Sequence, residues 1–307
     1  MTDILLAVRN GEAYLPALLE SVLTQSESDI RLLCRDDGSA DASRAVLSAA
    51  AAEDGRIAVI GGAPAGSAAG NFFALLRESR AEYAAFCDQD DVWHHDKLEK
   101  SLRAMHEAEE RFGRDTPILV HTDLRVTDAA GHVTAESMMA LQNLCPERDS
   151  LARLLCQSLV TGCTVLINAP LRRLCLSALP ERCLMHDWWL SLLAAAFGHI
   201  VYLDEAAIDY RQHGDNAVGV KKVHSAEYVL NRLRRPAAVK KAVTDTYAQS
   251  AELLRLFGER MDAEPRALVA GYAGLPALGK LRRIRTAKKL GTLKCGVLRR
   301  AGQLLFL

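Results

Sequence analysis

Before residue 90 the chain alternates short apolar runs with helical periodicity, and this pattern limits the folds open to it more than any other feature. Ile4 to Val8 is an apolar run bounded by polar residues, and Asn10-Gly11 punctuates the chain before Tyr14 to Gln25, where apolar residues recur at helical spacing. Ile30 to Cys34 predicts a second strand and Asp41 to Ala52 an alanine-rich helix. Ile57 to Ile60, Asn71 to Ser79 and Tyr83 to Cys87 predict strand, helix and strand again. Helical crossovers of this kind require parallel strands, so the expected class is α/β, with an open, mainly parallel sheet flanked by helices. Ligands bind beyond the carboxyl ends of the strands in such sheets. Acidic residues stand at two of those ends: Asp36-Asp37 after strand two and Asp88-Gln89-Asp90-Asp91 after strand four.

Further along, Ile118 to His121, Gly162 to Ile167, Ile200 to Leu203 and Ala207 to Arg211 predict strands. Ser150 to Ser158, Ala169 to Leu179 and His186 to Phe197 predict helices. After Val220 the composition shifts to helix formers and basic residues, with helices expected over Tyr228 to Arg234 and Ala237 to Phe257. The formal net charge of zero hides this shift. Residues 1–220 hold 19 basic and 32 acidic side chains, whereas residues 221–307 hold 19 basic and 6 acidic. Two parts with different partners are expected, 1–220 and 221–307.

A hydrophobic content of 50% excludes general disorder, and no apolar run is long enough to cross a bilayer. The N-terminal ILLAV stretch lacks the flanks of a signal peptide, which predicts a cytoplasmic chain. Eight cysteines without CxxC or zinc spacing read as small buried hydrophobes.

Among polar clusters, Asp88, Asp90 and Asp91 carry the strongest signal. Three carboxylates within four residues after an apolar strand repel one another unless water or a cation relieves them, and oxygen-only ligands suit Mg²⁺ or Mn²⁺. The alternative is a solvated acidic turn. Asp36-Asp37-Gly38-Ser39 reads either as a helix-capping turn, with Asp41 or Ser39 as N-cap, or as a carboxylate for a nucleobase N–H. The stretch from Gly61 to Asn71 is neither a Walker loop nor GxGxxG, which argues against an NTPase and a nicotinamide enzyme; it reads as a flexible loop beside the nucleotide site. His186-Asp187-Trp188-Trp189 offers a general base flanked by rings that could stack on sugar, or a helix start with two core tryptophans. In Tyr210 to Asn216, His213 is a candidate metal or diphosphate ligand and Arg211 a candidate phosphate contact.

Taken in order, ILLAVRNGEAYLPALLESVLTQS, RDDGSAD, FCDQDDVWHHDKLEK, TGCTVLINAPL, HDWW and YRQHGDNAVG resemble the inverting family 2 glycosyltransferases of GT-A fold. The wording is most similar to bacterial rhamnosyltransferase-type members that build surface polysaccharides. The resemblance implies a nucleotide-sugar donor, dTDP-rhamnose or a UDP-hexose, and a saccharide or lipid-linked acceptor. It implies nucleotide contacts at Asp37, Asp88, Ala7, Arg9 and Asn71, and Mn²⁺ or Mg²⁺ on Asp90 with Asp88 and His213. Asp187 matches the catalytic base, with Trp188, Trp189, Asp91 and Arg211 near acceptor or diphosphate. At Ala7-Val8-Arg9-Asn10 the chain departs from the family's Thr/Ser-Tyr-Asn, Arg9 standing where an aromatic is usual.

From Lys280 to Arg300 there are nine Lys/Arg and no acid. A basic amphipathic segment lying on an anionic membrane surface through Leu281, Ile284, Leu290 and Leu293 is one reading, and a helix packed on the catalytic domain is the other; Gly291 and Gly296 weaken a continuous helix. The membrane reading places the chain peripherally at the inner face of the cell membrane. Nucleic acid is not expected as a partner, for want of interleaved aromatics. The rival activities are a sugar-nucleotide nucleotidyltransferase, which lacks its Gly-rich phosphate loop at Ala7 to Glu12, and a non-catalytic membrane-docked scaffold, which would lose the carboxylates.

Overall fold

The computed structural model describes residues 1–146, 149–214 and 234–307. The first half is built as the alternation requires. In order come β1 (Thr2–Val8), α1 (Leu15–Leu23), β2 (Ile30–Asp36), α2 (Ser43–Glu53), β3 (Ile57–Val59), α3 (Ala68–Glu78) and β4 (Tyr83–Asp88). β3, β2, β1 and β4 lie side by side and parallel. Burial on both faces explains the unbroken apolar run of β1: Leu5 joins one hydrophobic cluster while Ile4, Leu6 and Val8 join another.

Beyond β4 the sheet becomes mixed. β5 (Val92–Trp93) is followed by α4 (Lys97–Phe112), β6 (Ile118–Thr127), β7 (Val133–Ala135) and two single turns, α5 (Met138–Leu141) and α6 (Leu151–Leu154). Then come β8 (Leu166–Asn168), α7 (Ala169–Ser177), α8 (His186–Phe197) and β9 (His199–Arg211). The sheet order is β3-β2-β1-β4-β8-β6-β9-β5, with β7 on β6. β8 runs antiparallel to both β4 and β6, β6 and β9 are parallel, and β5 is antiparallel to β9.

Three local expectations are revised. The helix over Ser150 to Ser158 is a single turn, because the chain then extends along the cleft described below. The strand expected from Gly162 starts only at Leu166, after a tight turn over Gly162–Thr164. The two strands expected from Ile200 are one, β9, whose pairing with β6 shifts register near Asp123.

The basic section forms helices over Pro236–Phe257, Ala263–Ala273, Lys280–Lys289 and Val297–Phe306. Gly291 and Gly296, with φ of 73° and 79°, break the last basic stretch into two, a backbone that residues with a side chain rarely adopt. Val243, Tyr247, Phe257, Tyr272 and Cys295 share a hydrophobic cluster with Phe72, Phe86 and Trp189 of the preceding part of the chain. Leu184 N–H donates to Gln249 at 2.7 Å, and Cys295 N–H to Gln157 at 2.7 Å. The sign change near Val220 and the helix expected over 228–234 lie largely outside the described residues. Six of the eight cysteines are buried and all are free thiols.

Candidate active site

The carboxyl ends of the parallel strands are level: Ala7 of β1 pairs with Arg35 of β2 and with Asp88 of β4, and Val8 pairs with Asp36. Above them opens a cleft of about 920 Å³. Ala7, Arg9, Asp37, Asn71, Asp88, Asp90, Asp187, Trp188 and His213 all line it. Residues some 200 positions apart in the chain are therefore brought to one concavity.

Side chains stitch the first two loops together. Asn10, at φ 52°, accepts from Ala40 N–H through Oδ1 at 2.8 Å, and its own N–H donates to Ser39 Oγ at 2.8 Å. Glu12 N–H donates to Asp41 at 3.1 Å while Ala42 N–H donates to Glu12 at 2.6 Å, a reciprocal pair that satisfies the end of the turn before α2. The two readings of Asp36-Asp37 divide between the two carboxylates. Asp36 accepts from Gly38 N–H at 3.1 Å and from Arg44 at 2.7 Å. Burial alone would raise its pKa, but the bonds from Ser39 and Arg44 hold the carboxyl below the ordinary range. Asp37 instead lines the cleft. Its Oδ1 accepts from the N–H groups of Ala65 and Gly66, so the loop after β3 closes on the cleft wall. Asn71 is engaged by Arg35, accepting at 2.5 Å and donating to its carbonyl at 3.1 Å, which ties α3 to β2 beneath that loop.

The Asp88 to Asp91 cluster splits in the same way. Asp88 and Asp90 face the cleft, whereas Asp91 is 1% exposed and sits below it. Asp91 was expected to reach diphosphate or acceptor; the turn at Gln89 directs it inward, against the Cys163 thiol. Between the acids, Gln89 turns back onto β1's loop, accepting from Arg9 N–H at 2.7 Å and donating to the Arg9 carbonyl at 2.8 Å. A side chain on Gly11 would meet the Gln89 amide at 2.6 Å and push it off the Arg9 backbone. Below, Lys97 is fully buried, its ammonium 3.5 Å from the centre of the Trp93 ring. Burial lowers its pKa to about 8, against Cys87, Cys163 and Asp91.

β5 carries the chain from this cluster onto β9, Val92 pairing with Asp209, and so delivers His213 to Asp90, Nε2 to Oδ2 at 2.8 Å. Tyr14 stacks on His213 at 4.7 Å between ring centres. Arg211 does not line the cleft as expected; its guanidinium lies 5.1 Å from the Tyr14 ring centre.

Asp187, at the start of α8, accepts from Trp188 N–H at 2.6 Å. Burial pushes its pKa up to about 6, against the pull of N–H groups of Trp188 and Gly162. The Gly162 turn packs against this helix start: a Cβ there would lie 2.9 Å from His186 Nε2 and 3.6 Å from Asp187 Oδ2. His186 is buried, stacked 4.0 Å from Phe72 and 5.2 Å from Phe86, and burial lowers its pKa to about 3, so it is neutral. The two tryptophans separate. Trp188 lines the cleft and donates to the Leu154 carbonyl at 2.7 Å. Trp189, expected at the acceptor, is fully buried 6.4 Å from Phe257 in the core, because the next position on the helix turns about 100° away.

The acids fit a divalent cation. Burial, and then the charges of Asp90 and Asp187, raise the pKa of Asp88, which is the crowding a cation relieves. Asp88, Asp91 and Cys163 also lie within 4.8 Å of one another. That set suits Mg²⁺ or Mn²⁺ poorly, since burial raises the Cys163 pKa far above its ordinary value and keeps it a thiol. The hard ligands on the cleft side are Asp88 and Asp90.

Sequence reading did not single out Gln89, Lys97, Gly162 or Tyr14. Nor did it place Lys294 and Arg299, which reach the cleft from the basic section, Arg299 donating to the Gln142 carbonyl.

Comparison with known proteins agrees with this geometry. Residues 3–112 match the family model of glycosyl transferase family 2. The chain is 26% identical over 259 residues to the dTDP-rhamnosyl transferase RfbG of Shigella flexneri, covering 78% of this chain and 82% of that protein. Among solved structures, TarS 1-349 of S. aureus in complex with UDP-GlcNAc superposes with a TM-score of 0.57 at 13% identity, covering 99% of this chain and 88% of that one. The mannosyltransferase PcManGT of Pyrobaculum calidifontis, in complex with GDP-Man and Mn²⁺, gives 0.53 at 13%, covering 94% and 73%. At these identities the two structures speak to the fold alone. Residues 3–112 thus carry the glycosyl transferase family 2 match, within a fold of the GT-A kind.

Proposed function

We propose that this chain is an inverting, metal-dependent glycosyltransferase that moves a sugar from a nucleoside-diphosphate donor to a saccharide or lipid-linked acceptor in bacterial surface polysaccharide synthesis. The single observation that carries this is the gathering of Asp37, Asp88, Asp90 and Asp187 around one cleft at the carboxyl ends of β1, β2 and β4. The likeness to RfbG favours a dTDP-rhamnose donor, with a UDP-hexose as the alternative.

In this reading Asp37, Ala7 and Arg9 receive the nucleoside, the exposed Arg9 backbone being held by Gln89. Asn71 acts through Arg35 by fixing the Asp37 loop. Asp90 and Asp88 hold Mn²⁺ or Mg²⁺, with His213 joining from β9. The cation, when bound, offsets the charge that develops on the departing diphosphate. Asp187 takes the proton from the acceptor hydroxyl while that oxygen attacks the anomeric carbon, and direct displacement inverts the configuration. A pKa raised to about 6 leaves Asp187 ionised at neutral pH yet more basic than an ordinary carboxylate. Trp188, beside it, offers an indole face to the acceptor sugar.

The catalytic part spans 1–220 in this reading, and the basic section 221–307 adds Lys294 and Arg299 to the wall of the cleft. A lipid-linked acceptor puts the work at the inner face of the membrane. Among the described residues no helix is long and apolar enough to cross a membrane. The test is transfer with Mn²⁺ from nucleotide sugars of known anomeric configuration, dTDP-rhamnose and UDP-hexoses among them, followed by NMR of the product. An inverted anomeric centre is expected; a retained centre would contradict the single-base mechanism.

A further inference from the structure

We propose that the outward face of the two C-terminal helices docks on an anionic bilayer, through a patch that keeps only Leu281 of the four apolar positions that sequence periodicity suggests. Ile284, Leu290 and Leu293 pack against the core and are not available. Helix Val297–Phe306 packs Leu304 against the core but leaves most of its remaining apolar surface uncovered. Its Gln303 is buried, accepting from Lys294 N–H at 2.9 Å and donating to the Thr292 carbonyl at 2.9 Å. Its apolar stripe faces outward: Val297 is 82% exposed, Leu298 42% and Leu305 56%, at spacings that share one side of a helix. Leu281 is 74% exposed and extends the stripe, because Lys280 Nζ donates to the Leu305 carbonyl at 3.1 Å and holds the two helices together. Four of the seven large hydrophobics that are exposed among the described residues therefore fall on this one patch.

Charge names the occupant. Lys280, Arg282, Arg285, Lys288, Lys289 and Arg300 are all exposed around the stripe, and no acid occurs between 280 and 300. A second copy docked through the same face would bring these cations against their own kind. An anionic headgroup layer satisfies them while its acyl boundary covers the leucines. Lys294, in the connection between these helices, and Arg299, in the second of them, line the cleft, so docking holds the cleft near the headgroups, where a lipid-linked acceptor is carried. Docking stands on this surface alone, and its test reads lipid binding, so its failure leaves the transfer reading untouched.

The experiment is flotation of the full chain with phosphatidylcholine vesicles, with and without phosphatidylglycerol. Wild type should float with the anionic vesicles and not with the neutral ones. The triple variant Leu281→Ser, Val297→Ser, Leu305→Ser should bind on the order of tenfold more weakly with an unchanged melting temperature. Arg282→Gln with Lys288→Gln should weaken binding about fivefold per cation removed. No flotation of wild type, or equal flotation of the serine variant, would overturn the proposal. So would lipid-free self-association that the serine variant abolishes, since a second copy would then cover the face.

Discussion

Replacing Asp187 by asparagine keeps the shape of the side chain and its capacity to accept from Trp188 N–H, while removing the charge and the basic oxygen. Two consequences have opposite signs. As the base, Asp187 contributes about 10²–10⁴ in rate, so transfer should fall by that factor while donor binding is retained. Stability should move the other way. The folded-state pKa is raised from 3.8 to about 6, so the folded chain holds this proton more tightly than the unfolded chain does. That contribution to stability is present below pH 3.8 and is lost as pH rises through about 6. The shift corresponds to an upper bound of about 3 kcal/mol at pH 8. Water in the open cleft reduces it, and turning an amide NH₂ toward Gly162 N–H costs about 1 kcal/mol more. Asp187→Asn should thus be about 1–2 kcal/mol more stable than wild type at pH 8 without added cation, and no more stable at pH 4. Denaturant unfolding at the two pH values measures this, with single-turnover transfer on the same samples. A variant that retains most of its turnover, or one that is less stable than wild type at pH 8, would refute the assignment of a desolvated base at this position.

Chelation should abolish transfer, and Mn²⁺ or Mg²⁺ should restore it; Asp90→Ala should remove that restoration, as read by turnover after metal add-back. Gly162→Ala would place a Cβ 2.9 Å from His186 Nε2, so it should cost about 1–3 kcal/mol of stability and lower kcat by displacing Asp187, measurable by melting and steady-state kinetics. Gln89→Ala frees the Arg9 backbone and should raise donor KM more than it lowers kcat. Trp189→Ala should cost about 3–5 kcal/mol and prevent stable folding, whereas Trp188→Ala should chiefly raise acceptor KM.

The parallel half of the fold was legible because strands buried on both faces read as largely apolar runs, and β1, β2 and β4 are of this kind. β8 was harder to see, since three residues between a tight turn and a helix leave almost no period to read. The acidic positions at the strand ends were visible, but not which of two adjacent carboxylates turns outward. Asp36 and Asp37 differ only in which neighbours capture them, Ser39 and Arg44 in one case and the Ala65 and Gly66 amides in the other. Lys97 opens a helix, and local sequence makes such a lysine solvent-facing; its burial depends on Trp93, four residues back, together with Cys163 from elsewhere in the fold. The basic section misled in one respect. Periodicity marks which residues share a face but not whether that face meets the protein or the solvent, and Ile284, Leu290 and Leu293 pack on the core.

Thermal stabilisation of the full chain by dTDP, UDP, GDP and CDP, each with Mn²⁺, tests most directly whether the cleft is a metal-dependent nucleotide-sugar site. One nucleoside diphosphate, dTDP by the RfbG likeness, should raise the melting temperature in the presence of the cation, and Asp37→Ala and Asp90→Ala should each abolish the rise. No stabilisation by any of the four, or a rise that survives in both variants, would contradict it.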